Sequence, residues 1–151
     1  MSQSLTKLYV HLIFHVKNNR LKIRQTEEKE LYAYIASILK DNESLPVKIN
    51  GTEDHMHILC VMSKNISLSK LTEEIKRHSS RWIKTKNPCY AKFSWQGGYA
   101  GFSVSPSICN KTKRYIINQK EHHKTVSFKE EYIFFLKEYD IDYDERYLWN
   151  G

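Results

Sequence analysis

The sequence predicts an α+β fold, a ferredoxin-like βαββαβ antiparallel sheet with helices on one face and further helices at the C-terminal end. Three observations predict it. Strand-type runs occur at residues 5–17, 46–51, 55–62 and 91–104. Apolar residues at helical spacing fill the first and third of the intervals between them. Two more helical stretches follow, at roughly 107–124 and 127–139. With 151 residues, 40% hydrophobic and 27% charged, and no repeat, low-complexity segment or Pro/Gly linker, the chain fits a single domain over residues 1–151.

Residues 5–17 are rich in β-branched and aromatic types and form the first expected strand, broken at Asn18-Asn19-Arg20. Thr26 is the expected cap of a helix that starts Glu27-Glu28-Lys29-Glu30, acidic where the helix dipole is positive. Leu31, Tyr34 or Ile35, Ile38 and Leu39 give that helix its apolar face, and it fades near Asp41-Asn42. Pro46 to Gly51 is the second strand and residues 55–62 the third, joined through Gly51 to Asp54 as a hairpin. A second helix follows Ser67. It is expected to bury Leu68, Leu71, Ile75, His78 or Ser79, and Trp82, and to present Lys70, Lys76, Arg77, Arg81 and Lys84 on its other side. The fourth strand region, 91–104, is interrupted by Gly97-Gly98. The tail from Tyr143 to Trp149 is polar and aromatic and receives no role.

The chain holds 24 Lys and Arg against 17 Asp and Glu, a formal net charge of +7 that favours a polyanionic partner, nucleic acid first and an acidic membrane second. A soluble basic protein without such a partner has the same balance. Cys60, Cys89 and Cys109 form no CxxC pair, which argues against a disulfide framework and against a cysteine zinc site and favours a reducing compartment. The apolar start, Leu8 to Phe14, is interrupted by His11 and lacks a small-residue cleavage site, so it is expected to be a strand and not a signal peptide. No apolar stretch approaches the roughly 18 residues of a membrane span, so a cytoplasmic protein with no membrane partner is expected. There is no G-x-x-x-x-G-K-[ST] phosphate loop, and no nucleotide cofactor is expected.

His55-Met56-His57 is the feature that points to chemistry. With a strand period of two, both imidazoles leave one face while Met56 leaves the other, and two imidazoles on one face can share a metal ion. The alternation puts Met56, Ile58, Cys60 and Met62 on one side and His55, His57, Leu59 and Val61 on the other, without deciding which side is covered. Such a pair is a weak signal in a chain with seven histidines, where structural or surface roles are the default. A second feature strengthens it. Tyr115 and Gln119 are four apart in an expected helix and so lie one turn apart on one face. The amide can complete a site with two imidazoles, and the phenol can be a nucleophile. A packed tyrosine beside a solvated glutamine is the ordinary alternative.

Four blocks occur in order: His55-Met56-His57; Trp95-Gln96-Gly97-Gly98-Tyr99; Phe102-Ser103-Val104-Ser105; and Tyr115-Ile116-x-Asn118-Gln119-x-Glu121-His122-His123. With Tyr9-x-His11 and Phe14-His15-x-Lys17-x-x-Arg20 before them, they resemble the single-tyrosine HUH transposases of bacterial insertion sequences (the TnpA group) and their REP-associated tyrosine transposase relatives. The resemblance runs from about residue 5 to 139. It implies a homodimeric, metal-dependent enzyme that cleaves and rejoins single-stranded DNA at hairpin-flanked ends through a 5′-phosphotyrosine intermediate. On the matching positions it implies Tyr115 as the catalytic nucleophile, carried on a C-terminal helix, and His55, His57 and Gln119 as ligands of Mg2+ or Mn2+. In that family the tyrosine of one subunit commonly serves the histidine pair of the other. On ligand type magnesium prefers oxygen whereas two imidazoles favour manganese, nickel, cobalt or zinc, so of the two ions the resemblance implies, manganese is expected to bind tighter.

Lys17, Arg20, Lys76, Arg77, Arg81, Lys111 and Arg114 are the candidate DNA-binding residues, with a solvated charged face as the alternative for each. Tyr90, Phe93, Trp95 and Tyr99 are candidates to stack unpaired bases, although strand aromatics are more often core. His122 and His123 belong to the last block without an assigned role. Two other readings compete: a domesticated relative acting on dispersed palindromic repeats, and a non-catalytic nucleic-acid-binding module of the same fold. The second lacks the K/R-G-F/Y-type aromatic run of RNA-recognition domains.

Overall fold

A computed structural model describes residues 2–17 and 21–149. The element order is β1 (Leu8–His15), α1 (Gln25–Asp41), β2 (Leu45–Gly51), β3 (His55–Met62), α2 (Leu68–Lys84), β4 (Ala100–Val104), α3 (Cys109–Ile117), α4 (Gln119–His122), α5 (Phe128–Glu138) and α6 (Glu145–Leu148). The four strands form one antiparallel sheet in the order β2-β3-β1-β4. This is the expected α+β, ferredoxin-like arrangement, with β1 and β3 at its centre.

The register of β1 against β3 pairs Ile13 with His57 and His15 with His55. One face of these strands sends Leu12, Phe14, Met56, Ile58 and Cys60 against Leu31, Ile35 and Leu39 of α1 and Leu71 and Ile75 of α2. The opposite face is covered as well. Ile13, Ala100 and Phe102 pack with Tyr132 and Leu136 of α5, while Leu59 and Val104 pack with Ile116 of α3. The histidine pair therefore points into the layer beneath the C-terminal helices. Among the described residues no helix is long and apolar enough to cross a membrane.

Local chemistry explains where elements start and stop. Ser67 caps α2, accepting a hydrogen bond from the Lys70 amide, and Ser127 caps α5 by accepting from Glu130. Thr26 does not cap α1. That helix begins at Gln25, two residues earlier than expected, after an extended Arg24, and the Thr26 hydroxyl donates to the Glu27 carboxylate, which Arg24 and the Tyr90 hydroxyl also hold. The α2 face is settled as Leu71, Thr72, Ile75, Ser79 and Ile83, with Ser79 inward and His78 outward.

Of the fourth strand region only Ala100–Val104 is a strand. The segment before it turns through residues 88–90 and sends Tyr90, Phe93 and Trp95 into the core, where the Trp95 indole N–H donates to the Ser79 hydroxyl at 2.9 Å. These three rings are core aromatics, unavailable for base stacking, whereas Tyr99 stays partly exposed. The expected helix over 107–124 is divided at Asn118 into α3 and α4. The Asn50 amide donates to the carbonyls of Ile116 and Ile117 at 2.8 and 3.1 Å, acceptors a continuous helix would use itself.

Candidate metal and nucleophile site

The hairpin between β2 and β3 prepares the first imidazole. Gly51 lies so close to the backbone of His55 that a Cβ there would collide with the His55 carbonyl, and the Thr52 amide donates to that carbonyl at 3.1 Å. This tight turn places Asp54 beside the ring. His55 Nδ1–H donates to Asp54 Oδ1 at 2.8 Å, and the Thr52 hydroxyl donates to the same oxygen at 2.9 Å. A neutral imidazole whose Nδ1–H is committed in this way presents its Nε2 lone pair forward. That lone pair faces Gln119 Oε1 at 3.1 Å. The amide is oriented by its own Nε2, which donates to Glu131 Oε2 at 3.0 Å. In that tautomer two acceptor atoms converge, an arrangement suited to a Lewis acid.

The second imidazole is held from the neighbouring strand. His57 Nδ1 lies 2.8 Å from His11 Nε2, and His57 Nε2 lies 2.8 Å from Glu131 Oε1. Burial holds His57 down to about 4, outweighing Glu131, and burial with the neighbouring His57 holds His11 well below its ordinary value. Both rings are therefore neutral, and two tautomers fit the contacts: His57 Nε2–H donates to Glu131 while His11 Nε2–H donates to His57 Nδ1, or, with an ion bound, the His57 proton sits on Nδ1 and is donated to His11 Nε2, leaving His57 Nε2 free as a ligand. Phe128 stacks on His55 with centroids 4.2 Å apart, and Phe135 stands edge-on to His11 and Tyr115 at 5.4 and 5.7 Å. His55, His57 and Gln119 are fully buried and Glu131 is 2% exposed.

Glu131, from the first turns of α5, organises the centre. Its Oε2 accepts a short hydrogen bond from the Tyr115 hydroxyl and lies 3.3 Å from His122 Nε2. Its Oε1 lies 2.8 Å from His57 Nε2, 3.6 Å from His55 Nε2 and 3.2 Å from His123 Nε2. Burial opposes its charge, but hydrogen bonds from His123, His57 and Tyr115 hold it well below the carboxylate range. Burial and then the Glu131 charge push the Tyr115 phenol up, so the resting phenol is protonated. Burial works against charge on His123, yet Glu131 raises it overall, and its Nδ1–H donates to the Val126 carbonyl at 2.8 Å. The ligand atoms of His55, His57, His123 and Glu131 all lie within 4.8 Å of one another.

The family profile described as "Transposase IS200 like" matches residues 4–119, more than half of the chain. The chain belongs to the IS200-like transposase family. Membership carries the family's general activity, cleavage of nucleic acid. A solved structure of a candidate transposase from Deinococcus radiodurans R1 is similar at TM-score 0.61 and 21% identity, covering 79% of this chain and 98% of that one. A REP-associated tyrosine transposase, solved bound to a REP hairpin, is similar at TM-score 0.61 and 17% identity, covering 83% of this chain and 76% of that one. At these identities the likeness shows the fold. Among curated proteins none matches.

Of the residues this IS200-like chain offered from sequence, His55, His57, Gln119 and Tyr115 come together in one chain, with His57 and Tyr115 ring centroids 6.0 Å apart. The basic residues do not form one group. Lys76 is drawn inward, its ammonium donating to the carbonyls of Gln96 and Gly98 at 2.7 and 2.6 Å, with burial lowering it to about 8. Arg77 is paired with Glu74 at 2.9 Å. Lys17, Arg81, Lys111 and Arg114 are exposed, and Arg20 lies outside the described residues.

Sequence reasoning gave no role to His11, Asp54, His123 or Glu131. His11 is brought beside His57 only by the pairing of β1 with β3. Asp54 had a legible signal, because it directly precedes His55. Glu131 had none, since it follows Glu130 in the acidic first turn of a capped helix.

Proposed function

We propose that this chain cleaves and rejoins single-stranded DNA at hairpin-flanked element ends through a 5′-phosphotyrosine intermediate on Tyr115. The observation that carries the reading is the convergence of the Tyr115 hydroxyl and the His55/His57 pair on the two oxygens of one buried carboxylate, Glu131. His55 Nε2, His57 Nε2 and Gln119 Oε1 would hold Mg2+ or Mn2+. Such an ion, when bound, polarises a non-bridging phosphate oxygen and draws off charge developing on phosphorus.

The chain's own residues do the rest. Phe128 and Phe135 wall the imidazoles and keep bulk water from them. Glu131 Oε2 fixes the Tyr115 hydroxyl and takes its proton as Oη attacks phosphorus. The new Tyr115–phosphate bond replaces the bond to the 3′-oxygen, which leaves as a 3′-hydroxyl by taking a proton from solvent water, while the Tyr115 proton stays on Glu131 until rejoining reverses both transfers. The phosphodiester energy is retained in the tyrosyl link, so rejoining is the same step reversed and needs no nucleotide.

An open cleft of about 490 Å3, lined by Lys120, His123 and Phe128 and by the carboxylates of Glu28, Glu53 and Asp54, reaches the His123 and Phe128 rings that pack on His55. Arg81, Lys111, Arg114 and Lys17 are the exposed cations proposed to meet phosphates, with Arg20, Lys76 and Arg77 as further candidates. The hairpin in the REP-associated neighbour supports a hairpin as the bound element. The proposed assembly is a homodimer in which each subunit carries a full constellation, since Tyr115 meets the histidines of its own chain.

Tyr115→Phe tests the reading. With labelled single-stranded hairpin DNA and Mn2+, the variant should give no gel-stable covalent adduct while keeping its circular dichroism spectrum and hairpin affinity. An undiminished adduct would remove Tyr115 from the chemistry.

A further inference from the structure

The carboxylate of Glu131 divides its two oxygens between two tasks. Oε1 points to the imidazoles, 2.8 Å from His57 Nε2 and 3.6 Å from His55 Nε2. Oε2 points away from them, to the Tyr115 hydroxyl and the Gln119 amide nitrogen. We propose that Glu131 Oε1 is itself a ligand of the divalent ion, so that one carboxylate ties the cation to the nucleophile. This rests on the metal-binding part of the reading above and adds to it a ligand from α5, a helix beyond the region that the family profile matches.

Three arguments support the assignment. The first is spacing. Ligands bonded to one ion at about 2.1 Å stand about 3 to 4.2 Å apart; one donor atom each of His55, His57, His123 and Glu131 lie within 4.8 Å of one another before any ion draws them in, and Gln119 Oε1 stands 3.1 Å from His55 Nε2. The second is charge. The two imidazoles are neutral ligands and Gln119 is an amide, so a buried cation on these three alone would be uncompensated, at a cost of several kcal/mol. Among the described donors that face the cluster, Glu131 is the carboxylate, and it is buried to 2% exposure. The third is donor type. Adding a carboxylate to two nitrogens and an amide oxygen makes a mixed N/O set, which suits Mn2+ and Mg2+ better than a nitrogen-dominated one.

The coupling has a structural consequence. Gln119 and Tyr115 both bond to Oε2, so a cation that fixes the carboxylate through Oε1 also fixes the amide ligand and the phenol. Glu131 holds the nucleophile in register with the ion, which the spacing of Tyr115 and Gln119 alone does not guarantee across the break at Asn118.

The test is direct binding without DNA. Mn2+ is titrated into the full chain and followed by electron paramagnetic resonance, with circular dichroism melting on the same samples. Glu131→Gln keeps the size but removes the charge and replaces one acceptor oxygen with a donor. It should weaken Mn2+ binding by at least about tenfold, the lower end of what loss of even an outer partner produces, whereas Tyr115→Phe should leave binding unchanged. Binding in Glu131→Gln equal to or tighter than in the parent overturns the assignment. If His57→Ala still weakens Mn2+ in that case, the metal site stands without Glu131. If the parent chain binds no Mn2+, the metal reading falls with it. Should Glu131→Gln fail to fold, Glu131→Asp retains the charge on a shorter arm, and parent-like affinity there overturns the assignment equally.

Discussion

On the α1/α2 side of the sheet, β1 and β3 present Leu12, Phe14, Met56, Ile58 and Cys60 to an apolar layer. On the other side the same two strands present His11, His55 and His57 to helices that bring Gln119, Glu131 and Tyr115 down onto them. The strands are shared and so is the burial: Met56 and His57 are both fully enclosed. What differs is the kind of constraint. An apolar contact is non-directional and tolerates substitution by similar volume. A buried polar group has to find its partner with correct distance and orientation, and each missing partner costs more than the bond was worth. The first face is therefore expected to set stability, and the second to set chemistry.

Truncation on the apolar face is the strongest way to probe that division. Leu71 is fully buried between α2 and the core, and Leu71→Ala should cost about 2–5 kcal/mol of stability. Urea unfolding measures the loss. At a temperature where the variant is folded, its Mn2+ affinity should match the parent, and a parallel loss of metal binding would break the division between the faces.

The supporting shell of the polar face is the next test. Asp54→Asn keeps the shape beside His55 but removes the charge that accepts the Nδ1–H. Mn2+ affinity should fall by about 10–100-fold with a much smaller change in melting temperature. If the melting temperature falls and the affinity does not, Asp54 is a structural partner of the hairpin.

The smallest effect concerns an ion pair on the apolar side. Arg24, ahead of burial and with Thr26 and Tyr90, holds the Glu27 carboxyl down to about 2 from an ordinary 4.5. A depressed acid contributes stability that is fully present above about pH 4.5 and is lost as pH falls towards 2. Since the Arg24 side chain is about half exposed, solvent screens the pair and the contribution is small. Glu27→Gln should flatten the acid limb of the stability profile slightly and leave Mn2+ binding untouched. A change in metal binding would show that the two faces communicate.

Several features are legible in the sequence. The strand His55–Met62 was readable from its alternation, and its two-sidedness followed from a period of two. Ser67 as a cap and Leu71 and Ile75 as a buried stripe followed from local rules that depend on neighbouring residues. Thr26 failed as a cap because Arg24, Glu27 and Tyr90, the last distant in sequence, formed a competing set of bonds. The helix break at Asn118 depended on the Asn50 amide in β2, which no window around residue 118 contains.

The sequence by itself determined that two imidazoles share one strand face and that a phenol and an amide lie about a turn apart, because both facts follow from backbone periodicity. Only the tertiary structure decided that Glu131 and not its neighbour Glu130 enters the site. Adjacent positions on a helix point about 100° apart. Which of the two turns inward depends on how α5 settles on Ile13, Ala100 and Phe102, a packing outcome fixed by the whole sheet face.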